Sequence, residues 1–173
     1  LPESFSYATT LTNFSAPALV AHAVGAAGPT FAISTACSSS AKVFAAAARL
    51  MRADWIDAAI VGGVDSLCLT TLCGFSALEL LSRDPCRPFD RARSGISIGE
   101  GAGFALLEAR AAAPAYLLGA GESSDAHHMS TPHPEGLGAR LAMRGALETA
   151  GLAPEAVDYV NLHGTATRSN DPA

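Results

Sequence analysis

Lysine is almost missing from this 173-residue chain: Lys42 is the only one, and no block of Lys or Arg occurs anywhere. With 11 basic against 16 acidic residues the formal net charge is −5. A nucleic acid or an anionic membrane surface is therefore not an expected partner. No apolar run reaches the roughly 18 residues that a membrane span needs. The start, Leu1-Pro2-Glu3, has no basic cluster leading into an apolar run and does not resemble a secretory signal. The four cysteines (Cys37, Cys68, Cys73, Cys86) form no C-x-x-C pair. They read as reduced thiols of a cytoplasmic protein and not as a disulfide framework. Short repeats and low-complexity linkers are missing too. The chain opens without Met and stops at Asn170-Asp171-Pro172-Ala173, inside what reads as a functional loop. The expectation is a stretch of something longer.

Apolar residues are plentiful. They make up 49% of the chain, alanine foremost, with a mean hydropathy of +0.26. That suffices for the core of one ordinary domain. Helices are expected over 16–24, 39–53, 70–81 and 137–150, the last stopped by Gly151. Short strands are expected over 30–35, 58–63, 103–109, 115–121 and 157–162. The strands are continuous apolar runs, and the helix from Ser39 has almost no polar face. Both features indicate sheets covered on two sides and a helix buried between layers. The fold class is α/β, in a layered architecture.

Two junctions carry chemistry. In "FAISTACSSSAKVFAAAARL" the strand ends at Ala36-Cys37 and the long helix begins just past Ser38. A helix start offers unpaired N–H groups and the positive end of the dipole, which favour a thiolate there. Ser38, Ser39 and Ser40 can cap the helix, and their small size leaves room for a substrate. On position alone, a buried structural cysteine and a nucleophile both remain open. "YVNLHGTAT" repeats the arrangement: an apolar strand, then His163, then Gly and two Thr. Ligands of layered α/β folds gather at the carboxyl ends of strands, so Cys37 and His163 could meet in one cleft. For His163 alone, a core histidine bonded to the backbone is the plainer alternative.

Four stretches resemble the motifs of the β-ketoacyl-acyl-carrier-protein synthases, the ketosynthases of fatty-acid and polyketide assembly. "STACSSS" (34–40) is similar to their nucleophile motif. "RPFDRARSGISIGEGAG" (87–103) resembles the central loop and following strand, and "SSDAHHMSTPHPEG" (123–136) the loop that begins the second half. "NLHGTATRSND" (161–171) resembles the first catalytic-histidine motif. The resemblance implies a thiolase-like fold of two similar halves stacked as α-β-α-β-α layers. Residues 1–109 would end the first half and 110–173 would start the second.

The same resemblance implies that Cys37 takes an acyl group from a phosphopantetheine thioester, its own N–H contributing to the oxyanion hole. Neutral His163 would hydrogen-bond a malonyl thioester as CO₂ leaves, and the carbanion would attack acyl-Cys37. Thr165 and Thr167 would hold the pantetheine amides, and Ile96 would stand beside the acyl tunnel. Phe89, Asp90, Arg93 and Glu100 would support the loop. No cofactor is expected to be bound, since the phosphopantetheine arm arrives on an acyl carrier protein. The implied assembly is a homodimer, with a heterodimer as the alternative, and 31–34 is the expected dimer edge.

Some of the family pattern is missing. Its lysine and second histidine lie further towards the C-terminus, and Lys42 sits on the nucleophile helix instead. Arg168 occupies a position where relatives carry proline, and nothing in the sequence accounts for it. The 173 residues taken alone are expected to be inactive. Other signals point nowhere. "GEGAG" (99–103) precedes a strand, so it does not fit a dinucleotide motif. His127, His128 and His133 lack metal-ligand spacing, and no metal is expected. Cys68, Cys73 and Cys86 read as packing residues, and Lys42, Arg49 and Arg52 as side chains that do not contact a carrier. Two rival functions stand beside condensation: a non-decarboxylating acyltransferase on the same fold, and a catalytically silent partner subunit or inactive fragment.

Overall fold

A computed structural model describes residues 2–109, 112–128 and 131–172. Arg110, where the second half was expected to begin, and Met129 and Ser130 of the "SSDAHHM" loop lie outside the described residues. The chain forms two units, Leu1–Val64 with Ala102–Ala113, and Asp65–Gly101 with Pro114–Ala173. Among the described residues no helix is long and apolar enough to cross a membrane.

The first unit contains α1 (Tyr7–Thr10), α2 (Ser15–Val24), α3 (Ser39–Arg52) and nearly all of β1 (Ala58–Asp65) and β2 (Gly101–Glu108). β1 and β2 pair into a two-stranded sheet. They meet closely at Gly62, where a Cβ would collide with the Gly103 carbonyl and the Phe104 ring. The neighbouring Gly63 lies directly against the Ser40 side chain, which brings the first turn of α3 onto β1. Ala45 and Ala47 of α3 and Val61 of β1 are buried. The alanine run thus gives α3 its inward face, while Arg49 and Arg52 are exposed.

The second unit contains α4 (Leu69–Ala77), α5 (Leu137–Ala150) and a 3₁₀ turn at Pro154–Ala156. α4 is shorter than the expected 70–81. Glu79 takes a left-handed φ of 57°, and the strands of backbone beyond it bond elsewhere: Ile96 N–H donates to Leu80 and Ser82 N–H to Ile96. A non-glycine residue in that region ends α-helical propagation. α5 runs over the expected residues and stops at Gly151, whose φ of 66° suits a residue without Cβ. Its inner face lies on the segment before it. A Cβ at Gly121 would collide with the Ala142 carbonyl, and the Thr149 hydroxyl bonds both N–H and C=O of Ala120.

Three expected strands, 30–35, 115–121 and 157–162, form no extended ladder among the described residues. The apolar patterns there are strand-like, but a strand exists only where a neighbour accepts and donates its backbone hydrogen bonds. Segment 115–121 meets α5, and Phe31, Tyr159 and Leu162 are exposed.

Candidate active site

Cys37 belongs to the first unit and His163 to the second, and each has its own surroundings. Cys37 is exposed and stands two residues ahead of α3, between Ala36 and the N-cap Ser38. Ala36 has a φ of 53°, a left-handed conformation that costs an alanine about 1 kcal/mol or more. The turn is held by hydroxyls. Ser39 Oγ accepts from Thr35 N–H at 2.8 Å and donates to the Ala36 carbonyl at 2.7 Å. Ser38 Oγ donates to the Thr35 carbonyl at 2.9 Å and lies 2.9 Å from Thr35 Oγ1.

The serines were expected to cap α3, and they do not. Ser38 sits in the helical region (φ −86°, ψ −4°) and makes no side-chain cap bond. An N-cap side chain reaches the first-turn N–H groups from extended backbone. The hydroxyls instead close the turn behind Cys37 and leave the helix start without a side-chain cap.

His163 is exposed at the mouth of a tightly tied loop. Gly164 and Ala166 have φ values of 55° and 60°, and Ala166 is 0% exposed. Thr167 is buried, and its Oγ1 lies 2.9 Å from Thr165 Oγ1. The loop docks on the 86–93 segment. Asp171 is the centre of that contact: Oδ1 accepts from Ala166 N–H at 3.0 Å and Oδ2 from Phe89 N–H at 2.7 Å. Arg93 Nε lies 3.7 Å from Asp171 Oδ2 and donates to the Thr167 carbonyl at 3.1 Å. Arg93 Nη1 reaches the Asp90 carbonyl, and Asp90 Oδ1 accepts from Ala92 N–H. The Asp171 side chain is only 2% exposed. A charged group so buried is held by full hydrogen bonding.

Thr165, Thr167, Phe89, Asp90 and Arg93 are therefore brought together within one unit. Ile96 and Glu100 have other neighbours. Ile96 pairs with the backbone of Leu80 and Ser82, and Glu100 Oε1 accepts from Leu67 N–H at 2.8 Å ahead of α4. Asp171 was not picked out from sequence; Cys86, read there as a packing residue, is half-buried with its Sγ 3.7 Å from the Thr165 carbonyl. The signal for Asp171 was a lone acid closing the threonine loop of a chain with an arginine-rich loop upstream.

Two of the other thiols differ from their sequence reading. Cys68 and Cys73 are exposed and do not pack a core. Cys68 is the N-cap residue of α4, with Thr71 Oγ1 at 3.1 Å from its Sγ. That hydroxyl, followed by the N–H groups of Thr71 and Thr70, holds the Cys68 thiol below its ordinary pKa. His127 and His133 rings lie 5.1 Å apart, but among the described residues no three potential ligands are grouped for a metal.

Residues 3–113 match the family model for the β-ketoacyl synthase N-terminal domain, and residues 114–173 match that for the C-terminal domain. The chain is 40% identical to the chloroplastic 3-oxoacyl-[acyl-carrier-protein] synthase I of Arabidopsis thaliana, over 94% of this chain and 37% of that protein. A solved ketosynthase in complex with its chain length factor, from Xenorhabdus doucetiae, is 47% identical with a TM-score of 0.87. That match covers 92% of this chain and 40% of the other. A β-ketoacyl synthase from Burkholderia phymatum is 30% identical with a TM-score of 0.88, over 97% and 44% of the two chains. The chain spans about two fifths of the length of these relatives.

Proposed function

The chain belongs to the β-ketoacyl synthase family, and on that premise we propose that it is the Cys37- and His163-bearing part of a condensing enzyme. Its fold is correspondingly a portion of the thiolase-like layered α/β fold. The proposed reaction is a decarboxylative Claisen condensation that lengthens a fatty-acid or polyketide-type chain by two carbons. The observation that carries this reading is the match to both halves of the family model in order.

In the proposed sequence the Cys37 thiolate attacks the thioester carbonyl of an acyl group on an acyl carrier protein. A new C–S bond forms, and the phosphopantetheine sulfur leaves and takes up a proton. The N–H groups at the start of α3, that of Cys37 among them, would stabilise the oxyanion. A malonyl thioester then loses CO₂, and the electron pair of the broken C–C bond forms an enolate. Neutral His163 donates a hydrogen bond to that thioester oxygen. The enolate carbon attacks acyl-Cys37, and the Cys37 thiolate is expelled from a β-ketoacyl thioester. Thr165 and Thr167 would hold the pantetheine amides, with Ile96 beside the acyl chain. Phe89, Asp90 and Arg93 would act through the loop they hold, and Glu100 through the backbone at Leu67.

Residues 1–109 would close the first half of the fold and 110–173 would open the second. A lysine and a second histidine would have to come from the remainder of a longer protein, and these 173 residues alone would not condense. The proposed partners are the acyl carrier protein and a second subunit, in a homodimer or in a heterodimer like the solved Xenorhabdus complex. The 31–34 edge, exposed at Phe31, is the proposed dimer contact. The proposed compartment is the cytoplasm, where thiols stay reduced.

The test uses the complete protein with acyl- and malonyl-acyl carrier protein. Mass spectrometry should find the acyl group on Cys37 and none on Cys37→Ala. His163→Ala should retain acylation and lose CO₂ release by about a hundredfold or more. Acyl transfer without CO₂ release from the unaltered protein would replace this reading with the acyltransferase. Absence of any acyl-Cys37 would replace it with a silent partner.

A further inference from the structure

β1 carries two consecutive glycines, and the backbone asks for neither. Neither Gly62 nor Gly63 has a positive φ, and glycine inside a strand is a weak choice on its own account. What excludes a side chain is the neighbour that each one meets. At Gly62 a Cβ would collide with the Gly103 carbonyl and the Phe104 ring of β2. At Gly63 the three nearest atoms from elsewhere in the chain all belong to Ser40, the second residue of α3. A Cβ there would overlap Ser40 Oγ and stand 3.1 Å from Ser40 Cβ. Rotation of Ser40 about χ1 would move the hydroxyl but not that carbon, and two carbons need about 3.5–4.0 Å. Ser40 also differs from the serines before it. Ser38 and Ser39 bond the turn at Thr35 and Ala36, whereas the Ser40 hydroxyl makes no hydrogen bond among the described residues.

We propose that Gly63 is a positioning residue for Cys37: its missing side chain seats Ser40, and with it the first turn of α3, at the separation from β1 that aims the helix-start N–H groups at the acyl carbonyl. Gly63 and Ser40 belong to the same unit. The lever between them and the thiol is short. Cys37 stands two residues before α3, and the hydroxyls of Ser38 and Ser39 tie that interval into one turn. A methyl group on β1 at this point displaces the turn as a whole, by roughly half an ångström if the carbons are to separate. Oxyanion donors work at about 2.7–3.1 Å, so a displacement of that size is felt in the rate. Gly63 itself touches no substrate and acts through Ser40. The acyl step in this inference rests on the condensation reading, and the seating of Ser40 does not.

The test compares Gly63→Ala, Ser40→Gly and the double variant in the complete protein. Mass spectrometry follows acyl-Cys37 formation from an acyl-acyl carrier protein, and alkylation of Cys37 by iodoacetamide with Cys68 as the internal reference. Gly63→Ala should lower the maximal acylation rate about fivefold or more at an unchanged KM. Its Cys37 should also alkylate more slowly relative to Cys68, because the helix start has moved. Ser40→Gly makes the space from the helix side, so the double variant should recover the rates of Ser40→Gly alone. Gly62→Ala strains the β1–β2 pairing instead. It should lower the melting midpoint and leave the ratio of Cys37 to Cys68 alkylation at its original value. Circular dichroism establishes that each variant folds. If Gly63→Ala does not fold, Ser40→Val crowds the same contact from α3 and should give the same losses. Unchanged Cys37 rates in Gly63→Ala, or in Ser40→Val in its place, overturn the proposal. So does a double variant no faster than Gly63→Ala, or a Gly62→Ala that slows Cys37 equally. If the unaltered protein forms no acyl-Cys37, the condensation reading falls, and the alkylation ratio still decides whether Gly63 positions the thiol.

Discussion

The turn before Cys37 and the loop after His163 each place an alanine in the left-handed region, at Ala36 and Ala166, yet they are held by different means. Around Cys37 the bonds come from Thr35, Ser38 and Ser39, three or four residues apart. Around His163 they come from Phe89 and Arg93, 82 and 74 residues from their partners in the sequence. The first is a local motif that its own residues can form. The second depends on closure of a long loop, and its geometry stands or falls with a single buried carboxylate.

The sharpest way to break that contrast is Asp171→Ala. It leaves the Phe89 and Ala166 N–H groups without their acceptor and Arg93 without its counter-charge. The expected loss is about 3 kcal/mol by urea unfolding, with a faster-exchanging 164–171 backbone by hydrogen exchange. A loss below about 1 kcal/mol would mean that the clamp is not what holds the loop. The matching change in the Cys37 turn is Ser39→Ala, which removes two local hydrogen bonds at a partly exposed position. About 1–2 kcal/mol is expected, and the 164–171 loop should exchange at its original rate. Ala36→Gly is the smaller probe. Relief of the left-handed strain should offset the greater freedom of the unfolded chain, and the melting midpoint should rise by the equivalent of about 0.5–1 kcal/mol. A fall in that midpoint would show that the Ala36 methyl contributes more than its conformation costs.

The smallest expected effect concerns two thiols that both precede helices. Cys37 stands two residues before α3, whereas Cys68 is itself the N-cap of α4 and has the Thr71 hydroxyl beside it. A lowered thiol pKa means more thiolate at neutral pH, so Cys68 should alkylate with iodoacetamide faster than an ordinary exposed cysteine. Thr71→Val should slow Cys68 a few-fold at pH 7 while leaving Cys37 at its original rate. An unchanged Cys68 rate would remove the hydroxyl as the cause. In the complete protein Cys37 should still outpace Cys68, and a slower Cys37 would end its assignment as the activated thiol.

Much of this was legible in the sequence where the controlling forces are local. α5 was placed from its periodicity and Gly151, and the turn at Cys37 from a run of small hydroxyl residues after a strand-like segment. The reading erred where a neighbour decides. The serines of 38–40 were expected to cap α3, but the backbone at Ser38 is helical, the hydroxyls of Ser38 and Ser39 bond Thr35 and Ala36, and Ser40 lies against Gly63. Three strand-like runs have no ladder among the described residues, because apolar pattern specifies a preference for extended backbone and not a partner. Cys68 was read as packing, since exposure cannot be taken from a motif.

By itself, the sequence determined the α/β class, the family through the motifs around Cys37 and His163, and the helix whose ends are written in nearby residues. Those features depend on dihedral preferences and side chains within about one helical turn of one another. The tertiary structure alone decided that Asp171 joins the threonine loop to Phe89 and Arg93, that Cys68 faces solvent beside Thr71, and that Ser40 of α3 lies against Gly63 of β1. Bringing groups together across some eighty residues requires the chain to close a loop first, and the energy that rewards closure comes from packing and desolvation that no local pattern encodes.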